Sequence, residues 1–290
     1  MAQPFKVGTS LFSFQLEYLN HQWSFEDTMQ LASMTGGDNG VEIVGPMHHR
    51  CWPTLGKEFE RSFKSACERW ELTPTSYGAY SEAAIVVDLD DRFDFHILQM
   101  RTAKQLGFPL CRIQTPGCDP LLERLAPAAE KMKQKIMVEI TSGSNLMHPE
   151  GTMVEIVKRI NSPYLGFNPD CNMFEDRRKE RDGKGPVGGL QSYGPQGSAP
   201  PPIPAADYNR LVDVLPWMMH MHGKFHWAQN GEIPAVPFDK ITEVLIKGGF
   251  QGWMSTEFEG GELGAYPNSF EVVKVHHSIV KRAIAKYAPA

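Results

Sequence analysis

The sequence predicts an α/β fold, a single (β/α)8 barrel spanning residues 1–290 with a long insertion after its sixth strand. Three observations carry this. Short apolar runs alternate with helical patterns from end to end, and the rhythm recurs eight times. A length of 290 residues is ordinary for one such barrel. No Gly-x-Gly-x-x-Gly follows the first strand, so a doubly wound open sheet lacks its usual support.

The elements follow in order. Phe5 to Leu11 is the first strand, and Ser24 to Met34 a helix capped by Ser24 with Asp27 three residues on. Gly40 to Gly45 is the second strand. Glu58 to Trp70 is helical, with Phe59, Phe63, Cys67 and Trp70 on one face. Thr73 to Tyr80 is the third strand, and Phe93 to Leu106 a helix that Gly107 ends. Pro109 to Thr115 is the fourth strand, followed by a helix over Pro120 to Lys133. Ile136 to Ile140 is the fifth, followed by a helix over Gly151 to Ile160. Tyr164 to Asp170 is the sixth strand, Asp207 to Leu215 its helix, and Trp217 to Lys224 the seventh strand. Phe238 to Lys247 is a helix closed by Gly248-Gly249. Trp253 to Glu257 is the eighth strand, and Ser269 to Lys286 the last helix.

Residues 174–206 break the rhythm, first with mixed charges (Asp176 to Asp182), then with Gly and Pro. They read as a lid or partner-docking insertion at the barrel mouth, or as a disordered insertion.

Composition narrows the function. Hydrophobic residues make up 41% and charged residues 22%, which suits a soluble protein with a sizeable core. A net charge of −5 without basic clustering argues against nucleic acid. Five cysteines form no Cys-x-x-Cys pair, which predicts reduced thiols and a cytoplasmic setting. No apolar stretch predicts a leader or a membrane span.

A barrel's chemistry collects where its strands end. The fifth strand offers Glu139 and the sixth Asp170. The seventh offers His220, His222 and Lys224 at alternate positions, and the eighth Glu257 with Glu259 beyond it. Carboxylates gathered at one level repel unless a cation lies between them. A Glu/Asp/His/Glu set suits a divalent ion: Mn2+ by preference, with Mg2+, Zn2+ or Co2+ as alternatives.

Other mouth residues are weaker candidates. His48, in Met47-His48-His49-Arg50, is a candidate substrate contact, although both histidines read more readily as solvent-exposed loop groups. Arg112 could hold a phosphate or carboxylate, or form an ion pair inside the barrel. His148 is a candidate acid/base on the loop after strand five, and Tyr80 could line the pocket. His226 reads as a loop residue, His276 and His277 as structural, and Trp217, Trp227 and Trp253 as packing groups.

These strand ends resemble the sugar phosphate isomerase/epimerase superfamily, the xylose-isomerase-like TIM barrels. The matching pieces are Gly40-Val41-Glu42-Ile43, Val138-Glu139-Ile140, Gly166-Phe167-Asn168-Pro169-Asp170, His220-Met221-His222-Gly223-Lys224 and Gly252 to Glu257. The resemblance implies that Glu139, Asp170, His222 and Glu257 bind one metal. It also implies that Glu139 and Glu257 exchange a proton with a sugar. His220, Lys224 and Glu259 become substrate contacts. One departure is Met173, where the family's Asp-x-x-His places a substrate-contacting histidine. The ending Thr256 to Gly260, with His-Gly-Lys-Phe on strand seven, is similar to C-glycoside deglycosidase large (alpha) subunits. These cleave an oxidised C-glycoside and pair with a small β-rich subunit. The expected partners are therefore a small-molecule sugar or glycoside and either a homo-oligomer or such a hetero-oligomer. A repair endonuclease on this fold would need more histidines and a basic face. A non-catalytic sugar-binding barrel would need no metal.

Overall fold

A polar residue inside an apolar strand must find partners on burial, and here the barrel interior supplies them. The computed structural model describes residues 4–79, 88–113, 119–141, 153–175, 207–260 and 268–288. Its strands are β1 (Lys6–Ser10), β2 (Gly40–Val44), β3 (Thr73–Ala79), β4 (Leu110–Ile113), β5 (Lys135–Ile140), β6 (Leu165–Pro169), β7 (His220–Phe225) and β8 (Trp253–Phe258). They form one parallel sheet in the order β6-β5-β4-β3-β2-β1-β8-β7. Bridges Phe167↔Met218 and Asp170↔His222 join the two ends. The fold is a (β/α)8 barrel, nearly closed at the β6–β7 seam.

Alternation decides the two faces. His222 of β7 reaches Glu42 of β2 and Glu139 of β5 across the barrel, so the polar set points inward. Outward residues such as Val7, Ile43, Ile113 and Phe167 join Phe63, Met100 and Leu125 in one buried apolar layer. Gly223 lies between His222 and Lys224 on the outward side. A Cβ there would meet His276 Cε1 at 2.5 Å, so glycine lets the last helix close on the strand.

The helices are α1 (Gln15–Leu19), α2 (Phe25–Ser33), α3 (Gly45–His48), α4 (Lys57–Arg69), α5 (Leu89–Leu106), α6 (Asp119–Met132), α7 (Met153–Ile160), α8 (Phe238–Lys247) and α9 (Ser269–Tyr287). Ser24 and Asp27 form the expected capping box, and Gly107 ends α5 in the left-handed region at φ 90°. Two expectations need correction. Helix α5 starts at Leu89, not Phe93, because the Asp88 side chain accepts from the backbone N–H of Asp90 and Asp91. The helix expected over Asp207 to Leu215 is instead two 3₁₀ turns, Tyr208–Asp213 and Leu215–Trp217. The segment is too short to propagate an α-helix before Pro216, and β7 accordingly begins at His220.

Of the 174–206 insertion, Phe174 and Glu175 are described, and both are buried. Residues 176–206, Tyr80 and His148 lie outside the described residues. Cys51, Cys67, Cys111 and Cys171 are free. No described helix is long and apolar enough to cross a membrane.

Burial sets a pH response. It pushes His48, His96 and His277 down to about 4, so all three fold neutral. Unfolded, each takes a proton near pH ~6.5. Their contribution is complete above that pH and is lost as the pH falls toward 4. Asp170, pushed up to about 7 by burial, binds its proton early in the folded chain and offsets one of the three. Each unopposed histidine gives a slope of about 1.4 kcal/mol per pH unit. Melting temperature is therefore expected to fall steeply from pH 6.5 to 4, and a flat profile across that range would contradict neutral burial.

Candidate metal centre

Four strand ends bring their side chains to one point. Ligand atoms of Glu139, Asp170, His222 and Glu257 all lie within 4.8 Å of one another, and all four residues are buried. His222 Nδ1 is 3.0 Å from Glu139 Oε1 and 3.0 Å from Glu257 Oε2. Its Nε2 lies 3.0 and 3.1 Å from the two oxygens of Glu42. A proton on Nε2 donated to Glu42 turns the Nδ1 lone pair toward the three carboxylates, the arrangement a ligating histidine needs.

Two cationic side chains hold the carboxylates. Arg112 Nη1 is 2.6 Å from Glu139 Oε2, and its Nη2 is 3.6 Å from Glu42 Oε1. Lys224 Nζ is 2.8 Å from Asp170 Oδ2, 3.2 Å from Glu257 Oε2 and 2.8 Å from Glu259 Oε1. Burial alone would raise Glu42, yet His222 and Arg112 hold it down at about 2. Glu139 is likewise held well below the usual carboxylate range, against burial, by Arg112 and His222. Burial works against a charge on His222, but Glu257 and Glu42 lift its pKa well above the ordinary value. For Asp170 burial wins over Lys224.

The donor set fits a divalent cation. Three carboxylates and one imidazole, all buried, converge on one point. Asp170 Oδ2 and Glu257 Oε2 are buried with no hydrogen-bond partner among the described residues, only ion contacts.

The other expected site residues fall as follows. His220 sits one pleat deeper, with Nε2 2.9 Å from Ser255 Oγ and 3.5 Å from Glu42 Oε2. Of the two readings of Arg112, the ion pair inside the barrel is the one formed. His48 and His49 are not solvent-exposed, as expected of loop groups, but 2% exposed each. The short α3 turns them back: His48 Nδ1 bonds to the Val44 backbone at 3.1 Å, and its ring packs against Tyr18, while His49 stacks on Phe59. His226 is not a free loop residue. Its Nδ1 is 2.8 Å from Glu175 Oε2 and its Nε2 3.2 Å from Glu259 Oε2. Against burial, Glu175 and Glu259 lift it to about 10. Met173 is buried in the 3₁₀ turn after Asp170.

Sequence reasoning passed over Glu42 and Glu175 as site residues. Glu42 carried a signal: like Glu139, it is a carboxylate inside an otherwise apolar strand. Glu175 carried none, because it lies 51 residues from His226.

No family model matches the chain. Curated relatives do match. A 3'-dehydrocarminate deglycosidase alpha subunit of Microbacterium sp is 28% identical over 96% of this chain and 94% of its own length. A C-glycoside deglycosidase alpha subunit of Arthrobacter globiformis is 26% identical over 96% of this chain and 92% of its own length. The chain is similar to C-glycoside deglycosidase alpha subunits from end to end. The similarity expected from strands seven and eight therefore extends well beyond those two motifs. Among solved structures, L-ribulose 3-epimerase superposes with a TM-score of 0.65 at 13% identity, covering 98% of this chain and 95% of its own. D-allulose 3-epimerase from Methylomonas sp. gives 0.62 at 14%, covering 98% and 100%. At such identities these neighbours establish the (β/α)8 barrel fold alone. By sequence, the chain's relatives are enzymes that act on glycosides.

Proposed function

We propose that this chain is the alpha subunit of a deglycosidase that cleaves an oxidised C-glycoside. The observation that carries this is the full-length similarity to four alpha subunits, all named as deglycosidases. The cluster of Glu139, Asp170, His222 and Glu257 supplies chemistry that agrees with it.

The reaction starts at a carbon beside the sugar's ketone. Glu139 or Glu257 takes the proton there, and the other glutamate stands opposite as acid. The C–H electrons form a C=C bond, and the adjacent bond to the aglycone breaks. The aglycone carbon takes up a proton. Glu139, Asp170, His222 and Glu257 would hold a divalent ion (Mn2+ by preference; Mg2+, Zn2+ or Co2+ otherwise), which would supply positive charge against the anion developing at the ketone oxygen. Glu42 fixes the His222 ring, and Arg112 keeps Glu139 ionised and ready to accept a proton. His220, Lys224 and Glu259 are assigned to orienting the sugar. The relatives are alpha subunits, so we assign the chain a smaller, β-rich partner. Its free cysteines suit a reducing cytoplasm.

A second reading is a sugar epimerase-type reaction. Its support is that the buried cluster holds two glutamates, Glu139 and Glu257, a pair able to serve as base and acid in proton exchange. One experiment separates the two. The chain is incubated with Mn2+ in D2O, alone and with a deglycosidase beta subunit, on a 3-oxo-C-glycoside or a ketose. Release of free aglycone that requires the beta subunit is expected. An inverted ketose centre without aglycone release would replace the first reading with the second. No exchange on either substrate would remove both.

A further inference from the structure

Lys224 is a cation that lies on two candidate metal donors at once, where a divalent metal does not call for one. Its ammonium lies 2.8 Å from Asp170 Oδ2 and 3.2 Å from Glu257 Oε2. These are two of the four candidate donors, and neither oxygen has a hydrogen-bond partner among the described residues. An ammonium and a divalent ion both need those lone pairs, and as like charges they repel at such separations. The same ammonium also lies 2.8 Å from Glu259 Oε1, which is outside the donor set.

We propose that Lys224 competes with the divalent cation for Asp170 and Glu257, and that Glu259 is the carboxylate that receives Lys224 when the cation binds. This rests on the metal-dependent reading of the site.

Three features support it. The lysine stem has four rotatable carbons, so its head moves from one carboxylate to the next without backbone change. Glu259 is fixed in place: its other oxygen is 3.2 Å from His226 Nε2, and His226 Nδ1 is 2.8 Å from Glu175 Oε2. Glu175, a protonated His226 and Glu259 together carry one net negative charge, which one ammonium neutralises. The mouth thus has two seats of negative charge that share a single lysine. Glu259 is also the less buried seat, its side chain 19% exposed where those of Asp170 and Glu257 are 0% and 2% exposed. A displaced lysine moves toward solvent, not deeper into the barrel.

The test is Mn2+ affinity of the purified full-length chain at fixed pH, measured by competition with a chromophoric chelator. Lys224→Met is expected to tighten Mn2+ by about tenfold, because a competitor is gone. Glu259→Gln is expected to weaken it by about as much, because the lysine loses its alternative seat. The double variant follows Lys224→Met. If Lys224 instead steadies the donors, Lys224→Met weakens binding and Glu259→Gln leaves it unchanged, which overturns the proposal. Glu259→Gln is nearly isosteric and partly exposed, so its sign decides the matter should Lys224→Met fail to fold. A wild-type chain that binds one Mn2+, with binding lost in Asp170→Asn, keeps the metal reading even where the lysine signs fail. A wild-type chain that binds none removes both.

Discussion

Glu257→Gln is expected to lower turnover by about 10³-fold while leaving the fold in place. The side chain is 2% exposed, and its Oε2 faces His222 Nδ1 at 3.0 Å and Lys224 Nζ at 3.2 Å. Glutamine keeps the shape and one carbonyl oxygen. It loses the negative charge and cannot take a proton from carbon. Removing a positioned base costs about 10²–10⁴ in rate, and here a donor oxygen is lost as well. Steady-state release of aglycone, deuterium uptake beside the ketone and far-UV circular dichroism read the effect together. Turnover near that of wild type would remove Glu257 from the chemistry. Loss of the circular dichroism signal would assign it a structural part instead.

The site was legible in the sequence to the extent that each residue betrayed itself locally. Glu139 and Glu257 are charges inside apolar runs, and His220, His222 and Lys224 fall at the two-residue period that turns all three inward. Arg112 read equally as a holder of phosphate or carboxylate and as half of an ion pair inside the barrel, and sequence alone left its partner open. What failed to show depends on contacts remote in sequence. Glu42 reaches the site because β2 lies across the barrel from β7, 180 residues away in the chain. The Glu175–His226 pair joins the start of the long insertion to the residue that follows β7. His48 and His49 look like a polar loop, and only the short turn of α3 folds them under aromatic neighbours. The early start of α5 was hidden by an acidic first turn, which hydrophobic periodicity ignores and which a capping aspartate rewards.

Arg112→Met is expected to destabilise the chain by about 3–5 kcal/mol, the usual result of removing one partner from a buried ion pair. Arg112 is 2% exposed, and its guanidinium bridges Glu139 and Glu42, which are buried as well. Methionine fills much of the volume but takes away the cation that Glu139 and Glu42 share directly. Lysine is a poor substitute. The guanidinium packs against Gly78, where an added Cβ would stand 2.8 Å from Nη2, and an ammonium cannot serve both carboxylates from that position. In a chain of this size the loss corresponds to a fall in melting temperature on the order of 5–10 °C. The companion change Glu42→Gln removes one stranded charge and should recover part of the loss, which a double-mutant cycle measures. A substrate-gripping arginine behaves differently: Arg112→Met would then leave melting temperature unchanged and raise KM alone. Strong coupling between positions 112 and 42 in the absence of any substrate is therefore the outcome that identifies Arg112 as the brace of the barrel interior, holding Glu139 ionised for its part in proton transfer.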